Sequence, residues 1–147
     1  MSGKERPYFA ARMVPRWADV DNLGACYTAR LFEWSHEAFE DLLVAAGDRL
    51  DKAFDEEGWG MPLVHAEASI VEPIRWADEL EVRLYVARIG RRSLGLEFDF
   101  VDAGGTVRAT TRLVHAFAPL DGLGKAIPFP ERLRGILERM GLLKTGA

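Results

Sequence analysis

Asp21 and Gly24 stand three residues apart in the segment Trp17-Ala18-Asp19-Val20-Asp21-Asn22-Leu23-Gly24-Ala25-Cys26-Tyr27, just ahead of a long apolar helical pattern. A carboxylate in the turn that opens a helix can act as a base or a nucleophile. Glycine lets the backbone come close to whatever binds there. The first N–H groups of the helix, near Cys26 to Thr28, lack intrahelical partners and favour developing negative charge. A carboxylate beside such a helix end suits acyl transfer. The same Asp21 also suits an ordinary turn or helix cap, and Asp19 reads first as a turn-stabilising residue.

Other groups carry weaker signals. Cys26 lies near the helix start, where thiolates are favoured. No histidine is near it in sequence, so a small buried hydrophobe is its expected role. His36, His65 and His115 share no metal-ligand spacing with one another or with Cys26, and each reads first as a hydrogen-bonded structural residue. The strand carrying His65 is expected to line a cleft, with Glu67 on the same strand face. Glu33 falls on the helix's polar stripe with Arg30 and Glu37 and reads as a surface ion-pairing group. Trp17, Phe32, Trp34 and Trp59 are candidate walls of an acyl pocket, with Phe32 and Trp34 better suited to the core.

These residues need elements to position them. Phe9 to Trp17 alternates as a strand, with Pro15 suited to an edge or strand end. From Tyr27 to Ala46 the period is helical. Tyr27, Leu31, Trp34, Ala38, Leu42 and Ala45 form one apolar stripe, and Phe32, Phe39, Leu43 and Ala46 a second. A helix this apolar is buried by more than one neighbour. Leu50 to Glu57 predicts a short second helix. Strands follow over Leu63–Ile74, broken by Pro73, then over Glu79–Ile89, Leu94–Phe100 and Thr106–Ala118, with a hairpin at Gly90-Arg91-Arg92. A closing helix is expected from Pro130 to Met140. The pattern is α+β: an antiparallel sheet of consecutive strands wrapped around one long central helix.

Composition sets the outer bounds. The chain has 147 residues, enough for a single domain over 1–147 with a substantial core. A net charge of -4 gives no bulk attraction for nucleic acid or anionic membranes. Met1 to Pro7 lacks the apolar segment of a secretory signal. Cys26 is the one cysteine, so no intrachain disulfide forms, and the cytoplasm is the expected compartment.

The element order and the segment Asp19 to Tyr27 together resemble the hotdog-fold acyl-CoA thioesterases, most closely the 4-hydroxybenzoyl-CoA thioesterase branch and its short-chain relatives. That family's pattern, Asp-x-Asp-x-x-Gly followed by an aromatic three residues on, is met by Asp19, Asp21, Gly24 and Tyr27. Gly60 to Val64 and Ala68-Ser69 are similar to its second strand. Trp76-Ala77-Asp78-Glu79-Leu80 resembles its next lead-in, and Gly90 to Leu94 its basic hairpin. The likeness covers roughly Phe9 to Pro130. It departs at Ala25, where many relatives carry histidine, and at Thr28 and Leu31.

The resemblance implies hydrolysis of an aromatic or short-chain acyl-CoA to free acid and coenzyme A. Asp21 would be the nucleophile or general base, and the Thr28 N–H would hold the oxyanion. Gly24, Tyr27, Trp59, His65 and Glu67 would line the substrate site. Arg91, Arg92 and Lys125 would meet the coenzyme A phosphates, which suit arginine's fork of donors. No metal or redox cofactor is implied. A homodimer or homotetramer is expected, with the site between protomers. Two alternatives stand beside this reading. A hotdog dehydratase or hydratase would carry histidine five residues after the aspartate, where this chain has Cys26. A non-catalytic acyl-CoA-binding module would need the basic cluster but not Asp21.

Overall fold

The computed structural model describes residues 5–122 and 124–144; Met1 to Lys4 of the N-terminal segment, Leu123 and residues 145–147 lie outside the described residues. The chain runs β1 (Phe9–Met13), a single 3-10 turn (Trp17–Asp19), α1 (Thr28–Ala45), α2 (Leu50–Glu57), β2 (Trp59–Gly60), β3 (Leu63–Ile70), β4 (Leu80–Ile89), β5 (Ser93–Asp102), β6 (Val107–Ala116), β7 (Ala118–Pro119) and α3 (Glu131–Arg139). Five strands form one antiparallel sheet in the order β1-β4-β5-β6-β3, and β2 pairs with β7 separately. Among the described residues, no helix is long and apolar enough to cross a membrane.

Alternation along β6 shows how the sequence sets the layers. Val107, Ala109, Thr111, Leu113 and His115 are buried, and the residues between them are half-covered. One face of the strand therefore meets α1. Helix α1 buries Leu31, Trp34, Ala38, Phe39 and Leu42 against that face. Each fully buried Leu or Phe contributes roughly 1.5–3 kcal/mol relative to exposure. A polar pair in this layer is satisfied. Ser35 donates to the Leu31 carbonyl at 2.7 Å, and its hydroxyl oxygen meets that of Thr111 at 2.7 Å.

The structure departs from the sequence reading in several places. The first strand stops at Met13, ahead of Pro15, and Trp17 opens the 3-10 turn; the last strand splits into β6 and the short β7. Strand β3 ends at Ile70, short of Pro73, because proline cannot donate to a ladder. It then pairs with β6 and not with β4, so it becomes an edge. Residues 71–78 carry the chain across to β4. Nearly all of β3 is exposed, including Leu63, Val64 and Ile70. Of the second stripe of α1, Phe39 is buried while Phe32 and Leu43 are covered only in part by the described residues.

Candidate active site

Backbone hydrogen bonds fold the segment from Trp17 to Tyr27 into a compact loop. Asp19 clasps it: Oδ2 accepts the Arg16 N–H at 2.7 Å, and Oδ1 pairs with the Arg30 guanidinium at 3.2 Å. The Asp19 carbonyl accepts the Tyr27 N–H at 2.9 Å. Asp19 is thus the turn-stabilising residue its position suggests. Gly24 donates to the Asp21 carbonyl and takes φ +81°, a conformation that side-chain-bearing residues rarely adopt.

Asp21 is held differently. Its Oδ1 accepts the Leu23 N–H at 2.9 Å and the Ala25 N–H at 3.2 Å. Its Oδ2 has no hydrogen-bond partner among the described residues, and the side chain is half-buried. One oxygen is therefore pinned by the backbone while the other is available. Helix α1 starts at Thr28, with Tyr27 as a cap residue that makes no side-chain capping bond. Asp21 does not cap the helix either, because its oxygen is spent within its own turn. The Thr28 and Ala29 N–H groups have no partner among the described residues and remain for water or a ligand, while the Arg30 N–H is donated to the Tyr27 carbonyl.

The β3–β4 connection clamps this loop from the other side. Cys26 donates its N–H to the Ile74 carbonyl at 2.8 Å, and Ala25 bridges to Arg75. The Arg75 guanidinium lies 3.5 Å from where a side chain on Gly24 would begin. Arg108 anchors the connection: its carbonyl accepts the Val71 and Glu72 N–H groups, and its side chain meets Asp78, Asp102, Glu72 and the Pro73 carbonyl. Sequence reasoning missed both arginines. Arg108 looks like any polar position in an alternating strand. Arg75 could have been noticed from its place beside the Trp76-Ala77-Asp78 motif.

Cys26 is half-buried, and burial pushes its thiol above the ordinary value, with Asp19 and Asp21 adding to the effect. A thiolate nucleophile is therefore disfavoured at this helix end. Trp17 is exposed and stands edge-on to Trp76, with centroids 5.4 Å apart. Tyr27 is half exposed at the loop's end. Trp34 packs on Phe100 in the core. Where the sequence suggests a cleft wall, Trp59 is 4% exposed and held edge-to-face between Phe54 and Phe117, so it offers no free ring face.

The register places the remaining candidates elsewhere. Ala66 and Ala68 of β3 face Leu113 and Thr111 on the α1 side, so His65 and Glu67 point to the opposite face. They are exposed and pair with each other at 3.5 Å. Within one chain they do not meet Asp21. Arg91 and Arg92 are exposed in the β4–β5 turn. Their carbonyls accept the Phe129 and Phe117 N–H groups, which brings the loop of Lys125 to the same end of the sheet. That end is far from Asp21. Ala109 pairs with Ile70 near the Asp21 loop and Ala116 with Ser93 near the arginines. The seven steps between them span about 23 Å of strand. Among the described residues, no cluster of three or more His, Cys, Asp or Glu side chains is placed to hold a metal ion.

A long helix laid on one face of an antiparallel sheet, with a carboxylate loop at the helix N-terminus, is the hotdog arrangement of thioester hydrolases. The chain belongs to the thioesterase-like superfamily, whose family model matches residues 15–137. Its enzyme class is that of an acyl-CoA thioesterase. A 1,4-dihydroxy-2-naphthoyl-CoA hydrolase of Synechococcus elongatus is 31% identical over 126 residues, covering 85% of this chain and 91% of that protein. The same enzyme of Thermosynechococcus vestitus is 28% identical, covering 80% of each chain. In structure, a 1,4-dihydroxy-2-naphthoyl-CoA thioesterase from Synechocystis aligns with a TM-score of 0.80 at 22% identity, covering 89% of this chain and 96% of that one. A gentisyl-coenzyme A thioesterase aligns with a TM-score of 0.74 at 22% identity, covering 87% and 98%.

Proposed function

We propose that this protein hydrolyses an aromatic acyl-CoA, with Asp21 as the catalytic carboxylate and two copies of the chain completing each site. The observation that carries the reading is Asp21 itself. Its Oδ1 is pinned by two backbone N–H groups and its Oδ2 is unpartnered, beside the uncapped start of α1.

Two routes use this geometry. In one, Oδ2 attacks the thioester carbonyl carbon and the carbonyl oxygen becomes an oxyanion. The Thr28 N–H stabilises that charge. Collapse breaks the C–S bond, expels the coenzyme A thiolate and leaves an acyl-aspartyl anhydride, which water splits to the acid and restored Asp21. In the other, Oδ2 takes a proton from water as the water oxygen attacks the same carbon. Both give free acid and coenzyme A.

Assembly follows from the exposed β3 edge. Edges with unpaired N–H and C=O groups and apolar side chains are normally covered. Antiparallel pairing of β3 with a second copy about a two-fold axis would set one chain's Arg91, Arg92 and Lys125 near the other chain's Asp21. The exposure of these cations, and the 23 Å or so of strand between them and Asp21 in one chain, support that arrangement.

Relatives that act on 1,4-dihydroxy-2-naphthoyl-CoA make that thioester the first substrate to try. The test is a free-thiol assay across that thioester and benzoyl-, phenylacetyl-, butyryl- and palmitoyl-CoA. Aromatic or short acyl groups should give the highest kcat/KM. A palmitoyl optimum would overturn the aromatic reading, and release of no thiol from any of them would overturn the hydrolase reading.

A further inference from the structure

A cavity of about 110 Å³ lies beside the Asp21 loop, at the end of the sheet where Ile70 of β3 pairs with Ala109 of β6. Leu31, Ile74 and Ala109 form its floor and are buried. Ala25 and Cys26 form the wall on the loop side, and Ile70, 50% exposed, stands at the rim. We infer that this cavity receives the acyl group and limits it to one unhydroxylated ring or a short branched chain, with Ala109 and Ile70 setting its size. The inference rests on the acyl-CoA hydrolase reading and narrows its substrate.

The position of the cavity comes first. In the hydrolase reading the thioester carbon meets Oδ2 of Asp21 and its oxygen meets the Thr28 N–H. The acyl group therefore starts between the loop and the first turn of α1, and both border the cavity. The Ala25 N–H of the cavity wall donates to Asp21 Oδ1 at 3.2 Å. Cys26 stands two residues before Thr28. Leu31 follows Thr28 by three residues, a rise of about 4.5 Å along the helix. A group attached directly to the carbonyl carbon needs no spacer to reach the cavity.

Size and polarity then choose the group. An apolar cavity of about 150 Å³ takes up benzene. This one is smaller and open at Ile70, which suits a single ring or a branched chain of similar girth and leaves no space for a second fused ring. Its side chains are apolar apart from the Cys26 thiol, a weak donor. The backbone of the wall is already committed. The Ala25 N–H is held by Asp21 Oδ1, the Ala25 carbonyl by the Asp21 N–H, and the Cys26 N–H by the Ile74 carbonyl. A ring hydroxyl at this depth would lose its water without gaining a strong partner. In the acyl group it accepts, the chain thus parts from its relatives that hydrolyse 1,4-dihydroxy-2-naphthoyl-CoA.

The test is a kcat/KM series over acetyl-, isobutyryl-, benzoyl-, 2-naphthoyl- and 1,4-dihydroxy-2-naphthoyl-CoA. The wild-type protein should favour isobutyryl- or benzoyl-CoA over both two-ring thioesters by about tenfold or more. A two-ring optimum would overturn the inference and leave the hydrolase reading standing. Ala109→Val fills the floor and should lower kcat/KM for benzoyl-CoA about tenfold while acetyl-CoA changes by less than about twofold. Ile70→Ala opens the rim and should raise 2-naphthoyl-CoA about tenfold relative to benzoyl-CoA. An equal effect on every thioester in both variants, or none, would overturn the inference. A further measurement uses the unmodified protein and so does not depend on a variant folding. Cys26 is the one cysteine, so its alkylation rate reports whether the cavity is filled. S-benzyl-coenzyme A, a thioether that cannot be hydrolysed, should slow that reaction, whereas S-methyl- and S-(2-naphthylmethyl)-coenzyme A should not. Slowing by all three alike, or by none, would overturn the inference. Slowing by S-benzyl-coenzyme A alone, without turnover of any thioester, would overturn the hydrolase reading while leaving the pocket standing.

Discussion

Oδ1 of Asp21 is tied to two backbone N–H groups, and this determines what an amide in its place would do. Asn keeps an acceptor oxygen for Leu23 and Ala25 but loses the charge and the basicity of Oδ2. Asp21→Asn should therefore keep its melting temperature and lose at least about 10²-fold in kcat, the low end for removing a general base. Thiol release and a thermal melt on the same sample check this. Near-wild-type turnover in a folded variant would move the chemistry elsewhere. His115 gives a prediction of a different kind. Its folded pKa lies below the ordinary value of 6.5 because burial disfavours the charged ring. As pH falls below that value the unfolded chain takes up a proton before the folded one does. The contribution of His115 to stability is thus present above the unfolded pKa and lost as pH falls from there through the folded pKa. Melting temperature should drop between about pH 7 and pH 5, and His115→Phe should flatten that part of the profile. An unchanged slope in the variant would assign the pH dependence to other groups.

At the scale of elements, the Asp21 loop depends on a segment that sequence periodicity did not mark. The stripes of α1 and the alternation of β6 were legible because each repeats a burial pattern over many residues. The Asp21 loop was legible because a carboxylate, a glycine and an aromatic fall at fixed spacing before a helix. What periodicity cannot carry is which strand lies beside which. His65 and Glu67 alternate correctly along β3, yet the pairing of β3 with β6 turns them away from α1. Trp59 has the composition of a cleft wall, but its β2–β7 ladder draws it into the core. Arg108 hides in the polar half of an alternating strand while holding residues 71–78, which in turn hold Cys26 and the start of α1. Its side chain is mostly buried among three carboxylates, so removing the guanidinium leaves them without the cation they share, although Asp78 and Asp102 keep backbone N–H partners. Arg108→Met should cost about 3 kcal/mol, toward the lower end for breaking a buried ion pair. Amide exchange across residues 71–78 should rise in the same variant, and kcat should fall with it. Unaltered exchange there would show that the network does not position the loop.

For the whole molecule, the unfinished surfaces of the single chain fit together. Phe32 and Leu43 are half-covered, β3 is an open apolar edge, and the cations sit at the opposite end of the sheet from Asp21. A two-fold β3–β3 pairing would answer all three. Replacing Arg91 and Arg92 with Ala should raise KM for coenzyme A thioesters and leave kcat largely intact, because phosphate contacts serve ground and transition states alike. The effect should shrink as salt rises. The two weakened forms then test the shared site directly. In a mixed dimer of Asp21→Asn with the Arg91→Ala/Arg92→Ala chain, one site pairs the intact aspartate with intact arginines, and the other carries both defects. If chains exchange freely, half the dimers are mixed and each holds one complete site. At substrate concentrations well below the raised KM, mixing the two proteins should restore about a quarter of wild-type activity. Activity no greater than the sum of the separate forms, with chain exchange confirmed by native mass spectrometry, would place the aspartate and the arginines of a site on one chain.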